Sequence, residues 1–389
     1  MLQACLALIP IAALCSALLC ALLLRLSHRV GALDSAPIEG QVKLSTKRVP
    51  NTGGVAIFLT LAAPIAGALI LAHLPGSLTE SLPDLLRGAL PGIRNETPTA
   101  LTLLVCLIAL HALGLVDDRK PLPAMPKLAL MLAAAAAVPL LTDTRLLSLA
   151  DGHAGGPWLS ILLTTLWIAT ITNAFNFMDN MDGLAASTAA TAAAGFLAAT
   201  LLNGQWFVAG ALALVVGACL GFVVFNKPPA KLYMGDGGSL VLGFTLAFLT
   251  VRTTYYIDPE APAGALTAAH PIGGGWYGVL MPFAVLAIPL YDLVAVSAIR
   301  IKQGRSPFLG DTQHFSHRLL KRGLSVRQTL GVTVALTAVT GLCGVLLATP
   351  IAWWQAVLLG CIVVCVLLTV ILLEVGTSSR AGPLPGREP

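Results

Sequence analysis

Residues Asn173 to Ser187 read NAFNFMDNMDGLAAS, and the amides and carboxylates there interrupt an apolar segment long enough to cross a membrane. Such groups are costly in hydrocarbon, so they are expected to line a cavity or bind a ligand. Asn173, Asn176, Asp179 and Asp182 are spaced by threes, and on a helix each step of three drifts by roughly 60° around the axis. All four serve one site only if the helix ends before Asp182, and Asn180 and Gly183 are residue types that end helices. The stretch therefore predicts a helix terminus at the membrane surface, with its polar groups gathered at a mouth.

Working outward, 57% of the 389 residues are hydrophobic, 11% are charged, and mean hydropathy is +0.85. A soluble domain carries roughly 25% charged residues, so the chain reads as an all-α polytopic membrane protein. No polar stretch is long enough to form a separate domain with its own core. One transmembrane catalytic domain is expected over residues 1–376. Residues 377–389, rich in proline and glycine, are expected to form a disordered cytoplasmic tail. All eight cysteines lie in apolar runs, where cysteine acts as a small hydrophobe and implies neither disulfides nor zinc.

Apolar runs of about 20 residues mark membrane spans. They predict about eleven transmembrane helices, near 4–26, 53–74, 98–116, 123–141, 157–177, 184–203, 206–225, 237–257, 276–299, 328–349 and 353–375. Lysine and arginine concentrate on the cytoplasmic side of such proteins. With the N-terminus outside and the C-terminus cytoplasmic, only Arg87, Arg94, Arg145 and Arg252 of the 23 basic residues fall outside. The same placement brings Asp117-Asp118, the Asn173–Asp182 stretch, Gly235-Asp236 and the His314/His317 loop to cytoplasmic ends, although it was not built to do so. Residues 75–97 and 258–275 read as solvated outer connectors. No internal repeat marks a transporter made of two halves, and the acids sit at span ends rather than at mid-membrane.

Each constellation has a plain reading and a chemical one. Asp117 and Asp118, followed by Arg119 and Lys120, form either a solvated span end or part of a metal-phosphate site that Lys127 reaches. MGDGGS, residues 234–239, is either a capped helix start or a glycine turn that admits an anion. The basic residues from Arg300 to Arg327 suit an anionic membrane surface. Within that segment, DTQHFSHR sets His314, His317 and Arg318 together as donors for a pyrophosphate. Asp292, in a span kinked by Pro282 and Pro289, is expected to pair with Arg300 or a nearby cation. The stretch Lys43 to Phe58, KLSTKRVPNTGGVAIF, reads as a loop into the second span and a wall of the same mouth.

Five of these motifs, VPNTGGVAIF, GLVDDRK, NAFNFMDNMDGLAAS, FNKPPAKLYMGDGGS and GDTQHFSHRLL, taken in order, resemble those of the polyprenyl-phosphate N-acetylhexosamine-1-phosphate transferases. The resemblance runs from about Lys43 to Leu320. It implies transfer of a sugar 1-phosphate from a UDP-N-acetylhexosamine to polyprenyl phosphate with release of UMP. The reaction is expected at the cytoplasmic face of the bacterial inner membrane, with Mg²⁺ (or Mn²⁺) and no nucleic acid. By position, Asn176 and Asp236 would bind the metal. Asp117 and Asp118 would handle the lipid phosphate, one of them as base, and Lys127, His314, His317 and Arg318 would hold phosphates. Asp182 would lie near the uracil, with Asn173 and Asp179 in support and a homodimer as a candidate assembly. Mg²⁺ takes oxygen ligands and keeps several waters, so one carboxylate and one amide suffice. The chain departs from the family pattern at Asn180, where glycine is frequent, and at Ser316, where a second histidine is frequent. NAFNFMDNMDGL is closer to the enzymes that use UDP-N-acetylglucosamine than to the muramoyl-pentapeptide translocases, which remain the alternative.

Overall fold

The structure, a computed structural model, describes residues 1–30, 49–142, 144–148, 151–152, 155–257, 269–271, 276–306 and 313–375. Lys43 to Arg48, Asp311, Thr312 and the tail 377–389 lie outside the described residues. Long helices α1 (Leu2–Val30) and α2 (Gly53–Ala72) precede two short ones, α3 (Gly76–Thr79) and α4 (Asp84–Asn95). Six more long helices follow: α5 (Thr97–Arg119), α6 (Ala124–Leu141), α7 (Trp158–Met178), α8 (Leu184–Leu202), α9 (Trp206–Asn226) and α10 (Asp236–Thr254). A two-stranded antiparallel ribbon pairs β1 (Tyr255–Ile257) with β2 (Ala269–Pro271). The chain continues through a 3₁₀ turn, Trp276–Leu280, to α11 (Met281–Val285), α12 (Ala287–Lys302), α13 (Phe315–Lys321), α14 (Val326–Leu347) and α15 (Trp353–Val375).

Ten of these helices are long and apolar enough to cross a membrane. The span expected at 276–299 is instead a bent pair, Tyr277–Val285 and Ala287–Lys302, meeting at 69°. Pro282 and Pro289 each fall in the first turn of their half. Proline is tolerated there because that turn's N–H groups have no intrahelical partner, so the break falls between the two prolines. Counted as one span, the pair would bring the total to eleven. The connectors expected at 75–97 and 258–275 contain α3, α4 and part of the ribbon rather than plain loop. All four arginines placed outside are bonded there. Arg87 pairs with Asp84, Arg145 with Asp151 and Arg252 with Glu96, while Arg94 donates to the Ala72 carbonyl.

Helix α10 is the centre of the bundle. Along its membrane stretch 94% of residues are buried, against 17% in α1 and 11% in α15, whose exposed leucines and isoleucines meet lipid. The glycines at its start let two neighbours approach closely. A Cβ at Gly114 of α5 would lie 2.2 Å from the Gly237 nitrogen and 2.4 Å from the Asp236 carbonyl carbon. One at Gly54 of α2 would lie 2.4 Å from the Gly238 nitrogen. Backbone rather than side chain is met at both points, so nothing there yields cheaply.

Gly114→Ala is therefore expected to push α5 away from α10. The overpacking should cost about 1–3 kcal/mol, read as a lower unfolding temperature in detergent, and should remove most activity because Asp117 and Asp118 ride on the same helix. Wild-type stability and activity in this variant would contradict the close packing.

Candidate active site

The site is built on the start of α10. The first N–H groups of a helix have no partner within it. In α2 they are satisfied by the strand-like run before α10: Gly53 donates to the Tyr233 carbonyl and Gly54 to the Met234 carbonyl, each at 2.9 Å. Tyr233 in turn donates to the Pro50 carbonyl at 2.9 Å. The PNTGG and YMGDGG motifs thus form one unit. Gly235 has φ +70°, and a Cβ there would come within 2.5 Å of both Asn51 Oδ1 and Asp118 Oδ2. That backbone conformation and the lack of space both call for glycine.

Asp118 caps α10 from a different helix. Its Oδ1 accepts from the Asp236 N–H at 2.9 Å and its Oδ2 from the Gly237 N–H at 3.2 Å. A carboxylate at a helix N-terminus also meets the positive end of the dipole. His111, about two turns earlier on α5, donates from Nδ1 to the Gly237 carbonyl at 2.8 Å and stacks on Phe58 with centroids 4.3 Å apart. Asp236 itself, expected as the cap in the plain reading, is left facing the mouth.

Four helices converge on Asp236. Lys127, at the start of α6, bonds both the Asp236 carboxylate and, at 2.8 Å, Asp117 Oδ2. Asp117 Oδ1 accepts from the Leu122 N–H at 2.7 Å. Asn176, on the last turn of α7, donates from Nδ2 to Asp236 Oδ1 at 3.0 Å and to Ser239 Oγ at 2.9 Å. Helix α7 ends at Met178, and Gly183 has φ +76°, as the spacing of the stretch requires. Asp179 is the residue that ends α7 and accepts from the Gly235 N–H. Burial, and then the charges of Asp236 and Asp118, hold its carboxyl well above the usual carboxylate range. Asp182 accepts from the Ala230 N–H at 2.9 Å, and burial pushes its carboxyl up as well. Asn173 lies one turn deeper on α7, partly buried, and joins no hydrogen bond among the described residues.

The histidine segment forms the other half of the mouth. Asp292 on α12 accepts from the Phe315 N–H at 2.5 Å, and its Oδ2 lies 2.9 Å from His314 Nδ1. Of the partners expected for Asp292, Arg300 or a nearby cation, the structure gives His314, while the Arg300 guanidinium lies over the Phe177 ring at 5.1 Å. His314 sets its ring edge-on to Phe177 at 5.4 Å and to His317 at 6.3 Å. Asn180, in the α7–α8 turn, donates to the Phe177 carbonyl and accepts from Ser316 Oγ, both at 2.6 Å. Arg318 is directed elsewhere, against its expected place among the phosphate donors. It pairs with Glu374 of α15 at 3.0 Å and bonds the Gln313 carbonyl. One residue on a helix turns about 100°, so Arg318 cannot share the face of its neighbour His317.

Several residues of this region escape sequence reasoning. His111 and Asn51 support Asp118 and Gly235, and Ser239 orients Asn176. Asn226 accepts from the Gly183 N–H and donates to the Leu232 carbonyl, tying the start of α8 to the run before α10. Asn51, Ser239 and Asn226 lie within the motifs quoted above without a role read for them, and His111 is a lone polar residue in an apolar run.

Glycosyl transferase family 4 matches residues 100–254 of the chain. The decaprenyl-phosphate N-acetylglucosaminephosphotransferase of Mycobacterium tuberculosis is 33% identical over 328 residues, which are 78% of this chain and 73% of that protein. The chain belongs to this family. The "Probable undecaprenyl-phosphate N-acetylglucosaminyl 1-phosphate transferase" of Bacillus subtilis is 27% identical over 342 residues, covering 85% of this chain and 81% of that protein. The undecaprenyl-phosphate alpha-N-acetylglucosaminyl 1-phosphate transferase of Escherichia coli K12 is 27% identical over 259 residues, or 64% and 66% of the two chains. The interval matched to family 4 contains the whole carboxylate half of the mouth and leaves out the histidine half.

The carboxylate half carries more negative than positive charge. Lys127 pairs with Asp117 and Asp236, while Asp118 and Asp179 lie nearby without an ion pair among the described residues; burial, and then the charges of Asp236 and Asp118, raise Asp179. Among the described residues no group of three or more His, Cys, Asp and Glu forms a preformed metal cage. A hard divalent cation that keeps its waters needs no such cage; Asp236 offers carboxylate oxygens for one, while Asn176 turns its Nδ2 to Asp236 and would have to turn its amide over to offer oxygen.

The folded protein holds the Asp179 proton more tightly than the unfolded chain does. That contribution is present at low pH and is lost as pH rises from the ordinary carboxylate range through the raised value. Asp179→Asn cannot ionise and escapes this loss. In EDTA it is expected to unfold at a higher temperature than wild type at neutral pH and above, with the gap closing toward pH 4. A variant less stable than wild type at neutral pH would contradict the repulsion.

Proposed function

We propose that this protein transfers N-acetylglucosamine 1-phosphate from UDP-N-acetylglucosamine to undecaprenyl or a related polyprenyl phosphate, releasing UMP. One observation carries the reading. The ends of α5, α6, α7 and α10 gather Asp117, Lys127, Asn176 and Asp236 into one bonded cluster beside a histidine segment, in a chain whose relatives are named for this reaction. The site lies on the cytoplasmic face of a bacterial inner membrane, with the N-terminus outside and the C-terminus inside. The distribution of basic residues supports this, since only Arg87, Arg94, Arg145 and Arg252 of the 23 fall on the opposite side. Residues 1–376 act as a single catalytic domain.

In the reaction an oxygen of the lipid phosphate attacks the β-phosphorus of the donor. The bond from that phosphorus to the UMP oxygen breaks, and a lipid pyrophosphoryl sugar and UMP result. Such transfer depends on positioning and charge neutralisation more than on covalent help. Asp118 commits both oxygens to the α10 backbone and so holds the geometry. Asp117 is also bonded at both oxygens, to the Leu122 N–H and to Lys127, but its Lys127 partner is the cation that a phosphate would meet, so of the two it is the one beside the lipid phosphate and takes its proton. Lys127, His314 and His317 neutralise phosphate oxygens, and Asp182 stands toward the nucleoside end. Mg²⁺, held by Asp236 and Asn176, supplies further neutralisation of the pyrophosphate when bound.

Purified protein given undecaprenyl phosphate and a panel of UDP-sugars should release UMP with UDP-N-acetylglucosamine, lose activity in EDTA and regain it with Mg²⁺ or Mn²⁺. Release only with the muramoyl-pentapeptide donor, or turnover unaffected by EDTA, would refute this reading. Asp117→Asn is expected to lower kcat by roughly 10² or more while keeping its unfolding temperature. Asp118→Ala should lose about 1 kcal/mol of stability with its cap. The reverse pattern would exchange their roles.

A further inference from the structure

Asn180, in the turn between α7 and α8, and Ser316, in the first turn of α13, touch each other. Ser316 Oγ donates to Asn180 Oδ1 at 2.6 Å, and Asn180 Nδ2 donates to the Phe177 carbonyl at 2.6 Å. We infer that Asn180 and Ser316 act as one positioning unit that fixes the histidine segment against the donor-binding turn, so that each residue is explained by the other.

The placement carries the argument. Asn180 sits between Asp179 and Asp182 in the turn that closes α7, and Ser316 sits between His314 and His317 in the first turn of α13. A bond between them sets the distance from the carboxylate half of the mouth to the histidine half. Asp292 holds the same turn from the side of α12, through His314 Nδ1 and the Phe315 N–H. Ser316 is only 1% exposed, and a buried hydroxyl without a partner is unfavourable, so the bond is needed once serine is present. A histidine at 316 is larger and would run into the Asn180 amide. A glycine at 180 would remove that amide and open the space.

The inference rests on the transferase reading, and its test separates the two. Full-length Asn180→Gly, Ser316→Ala, Ser316→Thr and Ser316→His proteins, and the two double variants that join Asn180→Gly to Ser316→Ala or Ser316→His, are assayed with UDP-N-acetylglucosamine and undecaprenyl phosphate. Asn180→Gly and Ser316→Ala are each expected to raise the donor KM about five- to tenfold, the size of one buried hydrogen bond, with the acceptor KM within about twofold. Their double variant should be no worse than either single, and Ser316→Thr, which keeps the hydroxyl, should stay near wild type. Ser316→His should be more impaired than Ser316→Ala and should recover when Asn180→Gly is added. Multiplying effects, equal losses for both substrates, or no recovery of Ser316→His would overturn the coupling. Tryptic cleavage after Lys321 and Arg322 gives a readout that needs no turnover. It should quicken several-fold in Asn180→Gly and in Ser316→Ala, and no further in their double variant, whereas unchanged or additive rates would overturn the inference. If wild type released no UMP, the transferase reading would fail while the cleavage result still judged the pair.

Discussion

The structure depends on how the start of α10 is satisfied inside a membrane protein. Helix α10 is almost wholly buried, so its first N–H groups have no water to turn to. Asp118 supplies both acceptors from α5, and it can reach them only because Gly114 and Gly54 let α5 and α2 come to backbone contact with α10. The cap therefore fixes three helices at once. Asp236, the first residue of the capped helix, is left free of capping and aimed at Lys127 and Asn176. A structural need and a chemical one are met by the same few residues.

That arrangement concentrates like charge. Asp117 and Asp236 share the Lys127 ammonium, and burial, with the charges of Asp236 and Asp118 added to it, raises the proton affinity of Asp179. A cluster of this kind is poised for a cationic partner and for the phosphates that accompany it. The histidine half, held by Asp292 and by the Asn180–Ser316 bond, faces it with donors. Phosphates that bridge the two halves would meet positive and negative groups in the order that phosphoryl transfer requires.

Much of this was legible in the sequence. Apolar runs located the spans, and the lysine and arginine bias placed every motif on one face. The three-residue spacing of Asn173, Asn176, Asp179 and Asp182 required the helix end that the structure has at Met178. What stayed hidden depended on tertiary geometry. Arg318 is adjacent to His317 in sequence, but helical rotation turns it toward Glu374. Asp292 was expected beside Arg300 or a nearby cation, and its partner is His314, 22 residues away in sequence. His111 and Asn226 bond backbone groups of Gly237 and Gly183, and Asn51 the side chain of Asp118, all far away in sequence, for which a single sequence carries no pattern.

Transfer of the donor's β-phosphate together with its sugar is the centre of this reading, and an isotope label follows it directly. With UDP-N-acetylglucosamine carrying ³²P only in the β-phosphate, the extracted polyprenyl lipid should become labelled and the nucleotide released should be unlabelled UMP. Label remaining in a released UDP, with an unlabelled lipid-linked sugar, would mean that the sugar alone is transferred and would contradict the site's proposed chemistry.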